Sequence, residues 1–269
     1  MKKYNFILIF ILLIIIFACK EIGVKKKNLT SDRFADLTTD FIIEEDSAKI
    51  SDSVMIKYSS KLLWFPGLEN KKLLEEIYSG QNITDFSKEG LQKFLINEKE
   101  NVYNKLKAKK YSDIKSKQEW QYVSQMDLKM NKNDYLYIQY YNNRFDGENK
   151  NQYHYQEKVF DLRNNEKLKL SDVVSISKED LSKLLKTNLE KTTMMQQMRK
   201  YDQKGYAIVS SVNIPVTENF YFDDNNLYFH YNMNEISKNY DIGDIIIPIS
   251  WDDISENLKT DFKERMKIN

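Results

Sequence analysis

The only cysteine of this chain stands at position 19, at the end of an unbroken apolar run from Phe6 to Ala18. That placement constrains the fold more than any other feature. A body with no second cysteine forms no intramolecular disulfide, so packing and hydrogen bonding alone must hold it. Lys2 and Lys3 precede the run. A cationic head, an apolar core and a small residue before the cut describe a secretory leader rather than a piece of the fold. The run is also shorter than the roughly 20 apolar residues of a membrane span.

The segment Ile16-Phe17-Ala18-Cys19 is similar to the lipobox of bacterial lipoproteins, with Phe17 bulkier than is usual there. The resemblance implies cleavage after Ala18, acylation of Cys19, and a body tethered by lipid on the extracytoplasmic side of a membrane. Lys20, in place of an acidic residue, leaves delivery to an outer membrane open. An uncleaved anchor and a plain secreted protein are the alternatives. The expected organisation is a signal peptide over residues 1–18, lipidated Cys19 and a charged tether over 19–52, an N-terminal half over 53–163, and a C-terminal half over 164–269. The tether carries Lys25-Lys26-Lys27, a run that reads as solvated linker with headgroup contact as the alternative.

Charge excludes one class of partner. Lys and Arg number 41 against 40 Asp and Glu, and a balanced surface gives no electrostatic reason to bind nucleic acid. With 18 Tyr and 14 Phe the body has ample material for a core, and only 7 Gly and 3 Pro argue against a long disordered stalk.

Hydrophobic periodicity predicts the elements. Val54 to Trp64 reads as a strand ended by Pro66-Gly67. Leu68 to Tyr78 has helical spacing. A second helix from Ser87 to Lys110 carries the stripe Leu91, Phe94, Leu95, Val102 and Leu106. The period then becomes two. Strands through Trp120–Met130, Leu136–Tyr140 and Tyr153–Leu162, joined by turns at Asn131–Asp134 and Arg163–Glu166 and by a loop at Asn142–Asn151, predict an antiparallel meander. Ser177 opens a long helix whose stripe runs through Leu181, Leu185 and Leu189 to Met195 and Met198. Phe220–Phe222 and Leu227–Tyr231 flank the turn Asp223–Asn226 as a hairpin. Ile245–Ile247 forms a short strand ending at Pro248, and Ser250 caps a last helix through Phe262. The expected class is α+β, antiparallel sheets with packed helices, in two related halves forming one module.

The stretch Val216 to Asn232, followed by Asn234-Glu235-Ile236, Tyr240, Gly243 and Ile245–Ile249, resembles the RsiV-like extracellular domain family. That family includes the external module of a lysozyme-sensing anti-sigma factor, and its companion half is found attached to a peptidoglycan deacetylase. Phe160-Asp161-Leu162 and Leu168 to Val173 match the family's strand, turn and strand before its long helix. The resemblance implies a non-enzymatic binding module whose ligand is a lysozyme-like muramidase or a cell-wall component. Two places depart from the family pattern. Its Gly-Gly-Ala-His loop is here Gly147-Glu148-Asn149-Lys150, and its Pro-Tyr pair is here Met233-Asn234. Only Met1–Asn5 precede the apolar run, so no cytoplasmic anti-sigma domain is expected, only the external module.

The chemistry-bearing residues are sparse. His154 and His230 each fall on a strand among tyrosines, and alternation with Phe229 and Tyr231 directs His230 away from the core residues. No metal-ligand spacing, glycine-rich phosphate loop or serine elbow occurs; no catalytic residue, metal or cofactor is assigned. The acidic pairs Asp223-Asp224 and Asp252-Asp253 read as a turn and a helix N-terminus. Tyr135, Tyr137 and Tyr141 share one strand face, with Tyr140 opposite. Tyr141, Arg144 and Lys150 at the loop, with Met233, Asn234 and Glu235, are the expected partner contacts. A cell-wall enzyme and a purely structural envelope lipoprotein are the rival readings.

Overall fold

Alternation from Val54 to Leu62 builds β2 (Val54–Trp64), whose even-numbered residues over that stretch are buried while Met55 and Lys57 face water. It lies in a six-stranded sheet of order β1-β2-β3-β4-β5-β6. The other strands are β1 (Asp40–Lys49), β3 (Gln118–Lys132), β4 (Tyr135–Phe145), β5 (Gln152–Asp161) and β6 (Glu166–Lys167). The computed structural model describes residues 37–108, 114, 116–147, 152–238, 240 and 242–268. The leader, Cys19, the tether up to residue 36 and Lys150 lie outside the described residues.

The predicted meander is β3-β4-β5, antiparallel throughout. Between β2 and β3 the pairing is parallel, which requires a crossover. Helices α1 (Lys71–Ile77) and α2 (Lys88–Lys107) supply it, capped by Asn70 and Ser87, whose side chains accept from Leu73 N and Gly90 N at 3.0 Å each.

One expectation is corrected here. Residues 40–49, expected in the tether, form β1, paired antiparallel with Met55–Trp64 of β2. The segment is charged because it is an edge strand. Ile42 points inward, while Glu44 and Asp46 take Lys99 of α2 at 2.5 and 3.4 Å.

The C-terminal part holds a second sheet, β7 (Phe220–Phe222), β8 (Asn226–Tyr231) and β9 (Ile245–Ser250), all antiparallel. Its helices are α3 (Leu170–Val173), α4 (Lys178–Lys191), α5 (Thr193–Tyr201), α6 (Gln203–Ser211), α7 (Trp251–Ile254) and α8 (Thr260–Met266). Three expectations change. The long helix from Ser177 breaks at Thr192, which is extended at φ −66°, ψ 149° and caps α5 through Met195 N. The strand expected at Leu168–Val173 is instead helix α3, and the only strand residues nearby are the two of β6 just before it. Ser250 does cap its helix, but that helix ends at Ile254, and α8 begins afresh at Thr260.

Strand parity sorts the core. The even face of β4 and β5 (Leu136, Ile138, Tyr140, Phe160) packs with Leu73, Ile77, Leu91 and Leu95 of α1 and α2. The odd face (Tyr135, Tyr137, Val159) packs with the second sheet and its helices. The meander is thus buried on both faces, and Tyr135, Tyr137 and Tyr140 are core residues.

The second sheet is fastened to the first by side chains acting as strand. Beyond β6, the outer edge of β5 has no strand beside it among the described residues. The Asn232 carboxamide takes that place, accepting from Tyr155 N (2.6 Å) and donating to Tyr155 O (2.9 Å). Asn219 does the same two residues on, accepting from Glu157 N at 2.6 Å and donating to Tyr155 O at 3.2 Å and His230 O at 2.9 Å. Both amides satisfy edge groups that burial would otherwise leave unpaired. At the opposite end, Arg265 of α8 lies over the Tyr135 ring at 3.7 Å and reaches Asp161 at 2.9 Å.

Candidate functional site

The end of β4 and the start of β5 run out beside the turn after β8, and an open groove of about 530 Å³ lies between them. Arg144 and Asn142 come from β4, Tyr153 and His154 from β5, and Met233 and Asn234 from the turn; Tyr122 of β3 closes one side. Strand β4 continues through Phe145, so Asn142–Arg144, expected in a loop, are held in sheet register opposite Gln152–His154.

The turn is equally fixed. Glu235 N donates to Asn232 O at 3.1 Å, and the Glu235 carboxylate accepts from Asn232 N at 2.8 Å. Asn234 sits at φ 67°, a left-handed position that Asn tolerates better than most residues. Since Asn232 also clamps β5, the turn that presents Met233 and Asn234 is tied to the strand across the groove.

The structure therefore brings together three of the six expected contacts, Arg144, Met233 and Asn234. Two others are placed differently. Glu235 is exposed but turned back to brace its own turn. Tyr141 packs on Tyr155 (ring centroids 4.8 Å apart), and Tyr155 stacks on His230 at 4.9 Å. Lys150 lies outside the described residues.

His230 corrects a further expectation. It does not face away from the core but is buried between the sheets, because the odd face of β5 covers β8. Its Nδ1 lies 2.6 Å from Glu157, a carboxylate with no exposed side-chain surface that also accepts from Tyr137 Oη (2.7 Å) and Gln139 Nε2 (3.0 Å). Its Nε2 is 3.3 Å from Asp244, to which Tyr153 Oη donates at 3.0 Å. A ring with 2% of its side chain exposed cannot meet a substrate, so this array joins the sheets. Among the described residues no group of three or more His, Cys, Asp or Glu is set to hold a metal ion, and no helix is long and apolar enough to cross a membrane.

Sequence reasoning missed the polar middle of the helix-covered face. Along α2 the inward stripe skips from Leu95 to Val102, and the inward position between them is Glu98. It accepts from Tyr58 Oη at 3.1 Å and Tyr122 Oη at 2.9 Å. Burial, and then the Glu98 charge, push the Tyr122 phenol up, so it stays a neutral donor. Ser60, on the buried parity of β2, was the second signal.

No family model matches the chain, and no curated protein matches it in sequence. Two solved structures are similar to it. A DUF3298 family member from Bacteroides fragilis has 19% identity and a TM-score of 0.67, over 87% of this chain and 98% of that one. A DUF3298 family protein from Pseudomonas aeruginosa has 13% identity and a TM-score of 0.58, over 84% and 96%. The chain thus has the α+β fold of DUF3298 family proteins, a domain of unknown function.

Proposed function

We propose that this protein is a lipid-anchored envelope protein whose folded body is a non-enzymatic binding module, and that the groove beside Arg144 captures an extracytoplasmic protein of the lysozyme-like muramidase kind. The lipobox-like Ile16–Cys19 supports the anchor. The observation that carries the binding site is that Arg144 and the Met233-Asn234 pair, drawn from distant parts of the chain, line one groove. Its surface is mixed: a guanidinium, carboxamides, a tyrosine and a methionine. Such a surface suits a protein partner, where Arg, Tyr and Met are enriched. Both walls are braced by backbone pairing and by Asn232, so little ordering entropy opposes binding.

The test is retention of purified muramidases of different structural types on the immobilised full chain in detergent. At least one type is expected to be held by the wild type and released by Arg144→Ala. Failure of every type to bind removes the muramidase from the reading.

A further inference from the structure

A row of polar residues crosses the helix-covered face of the large sheet. The register aligns Glu44 with Ser60, Ser60 with Ser124, Ser124 with Asn142, and Asn142 with His154. Five strands in succession put a polar side chain at one level. Apolar residues pack on either side of it. Leu62, Met126 and Tyr140 belong to the cluster under α1 and the start of α2, while Ile56, Trp120 and Leu106 belong to a separate cluster under the end of α2. A single continuous core would stabilise the layer more, since each buried aliphatic side chain is worth about 1.5–3 kcal/mol. The seam is instead left open as a trough of about 560 Å³.

Hydroxyls and carboxamides make up most of its lining, with Leu62, Phe94 and Tyr140 as apolar members. Ser60, Ser124 and Asn142 form the floor, Gln81 and Asn82 of the α1–α2 connection stand at one side, and Asn97 of α2 stands at another. Gln81 Oε1 is buried without a hydrogen-bond partner among the described residues, a cost normally relieved by water or a ligand. Glu98, the carboxylate in the lining, already accepts from two tyrosines. At the far end Tyr122 and Asn142 line this trough and the Arg144 groove alike. Strands spaced roughly 4.8 Å apart make the floor from β2 to β5 roughly 15 Å long, an extended site rather than a pocket for one small molecule.

From this lining we infer that the trough binds a linear, neutral oligosaccharide bearing N-acetyl groups. Carboxamides pair with acetamido groups through one donor and one acceptor, and serine hydroxyls serve sugar hydroxyls in either role. A polyanion would meet no row of cations here, and an apolar chain would strand the floor's polar groups. Tyr122 at the junction, stacked on Tyr58 with its hydroxyl held by Glu98, adds aromatic surface to the lining.

The inference does not rest on protein capture and is tested without any muramidase. A β-1,4-linked N-acetylglucosamine tetramer is titrated calorimetrically into the full chain in detergent, beside the glucose tetramer of the same linkage. Saturable binding of the first is expected, with the second at least about tenfold weaker, because a site built to pair a group rejects the analogue lacking it. Asn97→Ala and Asn142→Leu change exposed residues, and a thermal melt matching wild type verifies their fold. Each is expected to weaken binding severalfold. No saturable heat with the acetylated tetramer, equal binding of the glucose tetramer, or unaffected variants that are folded would each overturn it.

Discussion

His230 Nδ1 and Glu157 Oε1 meet at 2.6 Å between the two sheets, where neither side chain has appreciable contact with water. The pair is a joint: Glu157 belongs to β5 of the large sheet and His230 to β8 of the small one. Removing the Glu157 carboxylate takes the acceptor from Tyr137 Oη and Gln139 Nε2 and the partner from His230 Nδ1 at once. Glu157→Ala is expected to lower the unfolding free energy measured by urea denaturation, since each buried polar group left without a partner costs about 1–3 kcal/mol. Glu157→Gln, which keeps an acceptor oxygen, should cost less. A Glu157→Ala protein of wild-type stability would show that the sheets are held elsewhere.

Asn232 is the second joint. Asn232→Ala should leave the Tyr155 N–H unpaired and its C=O held by Asn219 alone, at a cost of about 1–3 kcal/mol. Its turn would also loosen, so amide exchange should quicken at Met233 and Asn234 beyond any change in global stability. Unchanged exchange at the turn would mean that Glu235 alone holds it.

Lys158 gives a pH dependence. It is buried with its amine 2.9 Å from Ser79 Oγ and 4.5 Å from the Tyr140 ring centroid. Burial, with some help from Lys167, pulls it down from 10.5 to about 8. Between about pH 8 and 10.5 the unfolded chain holds a proton there that the folded chain has lost, so this residue makes stability rise with pH across that window. Below pH 8 both states carry the charge and the folded state bears the full penalty, of order 3 kcal/mol. Lys158→Met should therefore be the more stable protein at pH 7, with the difference shrinking toward pH 10. A difference that stays constant with pH would contradict the assignment.

The charged start of the fold can be tested by truncation. A chain beginning at Ser53 lacks β1, and with it Ile42 and the pairing along β2. It should unfold at a markedly lower temperature than one beginning at residue 37, and its exposed β2 edge should promote aggregation. Equal melting temperatures would return residues 40–49 to the tether.

The sequence was readable where periodicity and burial agree. Strands β2 to β5 and β8, the caps Ser87, Ser177 and Ser250, and the opposite faces of Tyr137 and Tyr140 follow from local pattern. It was silent where a partner distant in sequence decides. Strand β1 looks like a solvated linker because only Ile42 among its residues is buried. Thr192 breaks a stripe that continues through Met195, since a capping side chain outweighs periodicity there. His230 reads as outward on its own strand because the sheet that covers it lies some seventy residues earlier. Of the site, Arg144 and Met233-Asn234 were legible as separate loops, but their meeting across one groove was not. The polar seam left faint marks, Glu98 in a helix stripe and Ser60 on a buried parity, and only the register joins them into a row.

The most direct measurement is the affinity of a purified muramidase for the full chain, compared between wild type and the Arg144→Ala/Asn234→Ala double variant at matched thermal stability. The account predicts saturable binding that the double substitution weakens by at least about tenfold, through faster dissociation. Binding that the double variant retains in full, or a wild type that binds no muramidase, would contradict it.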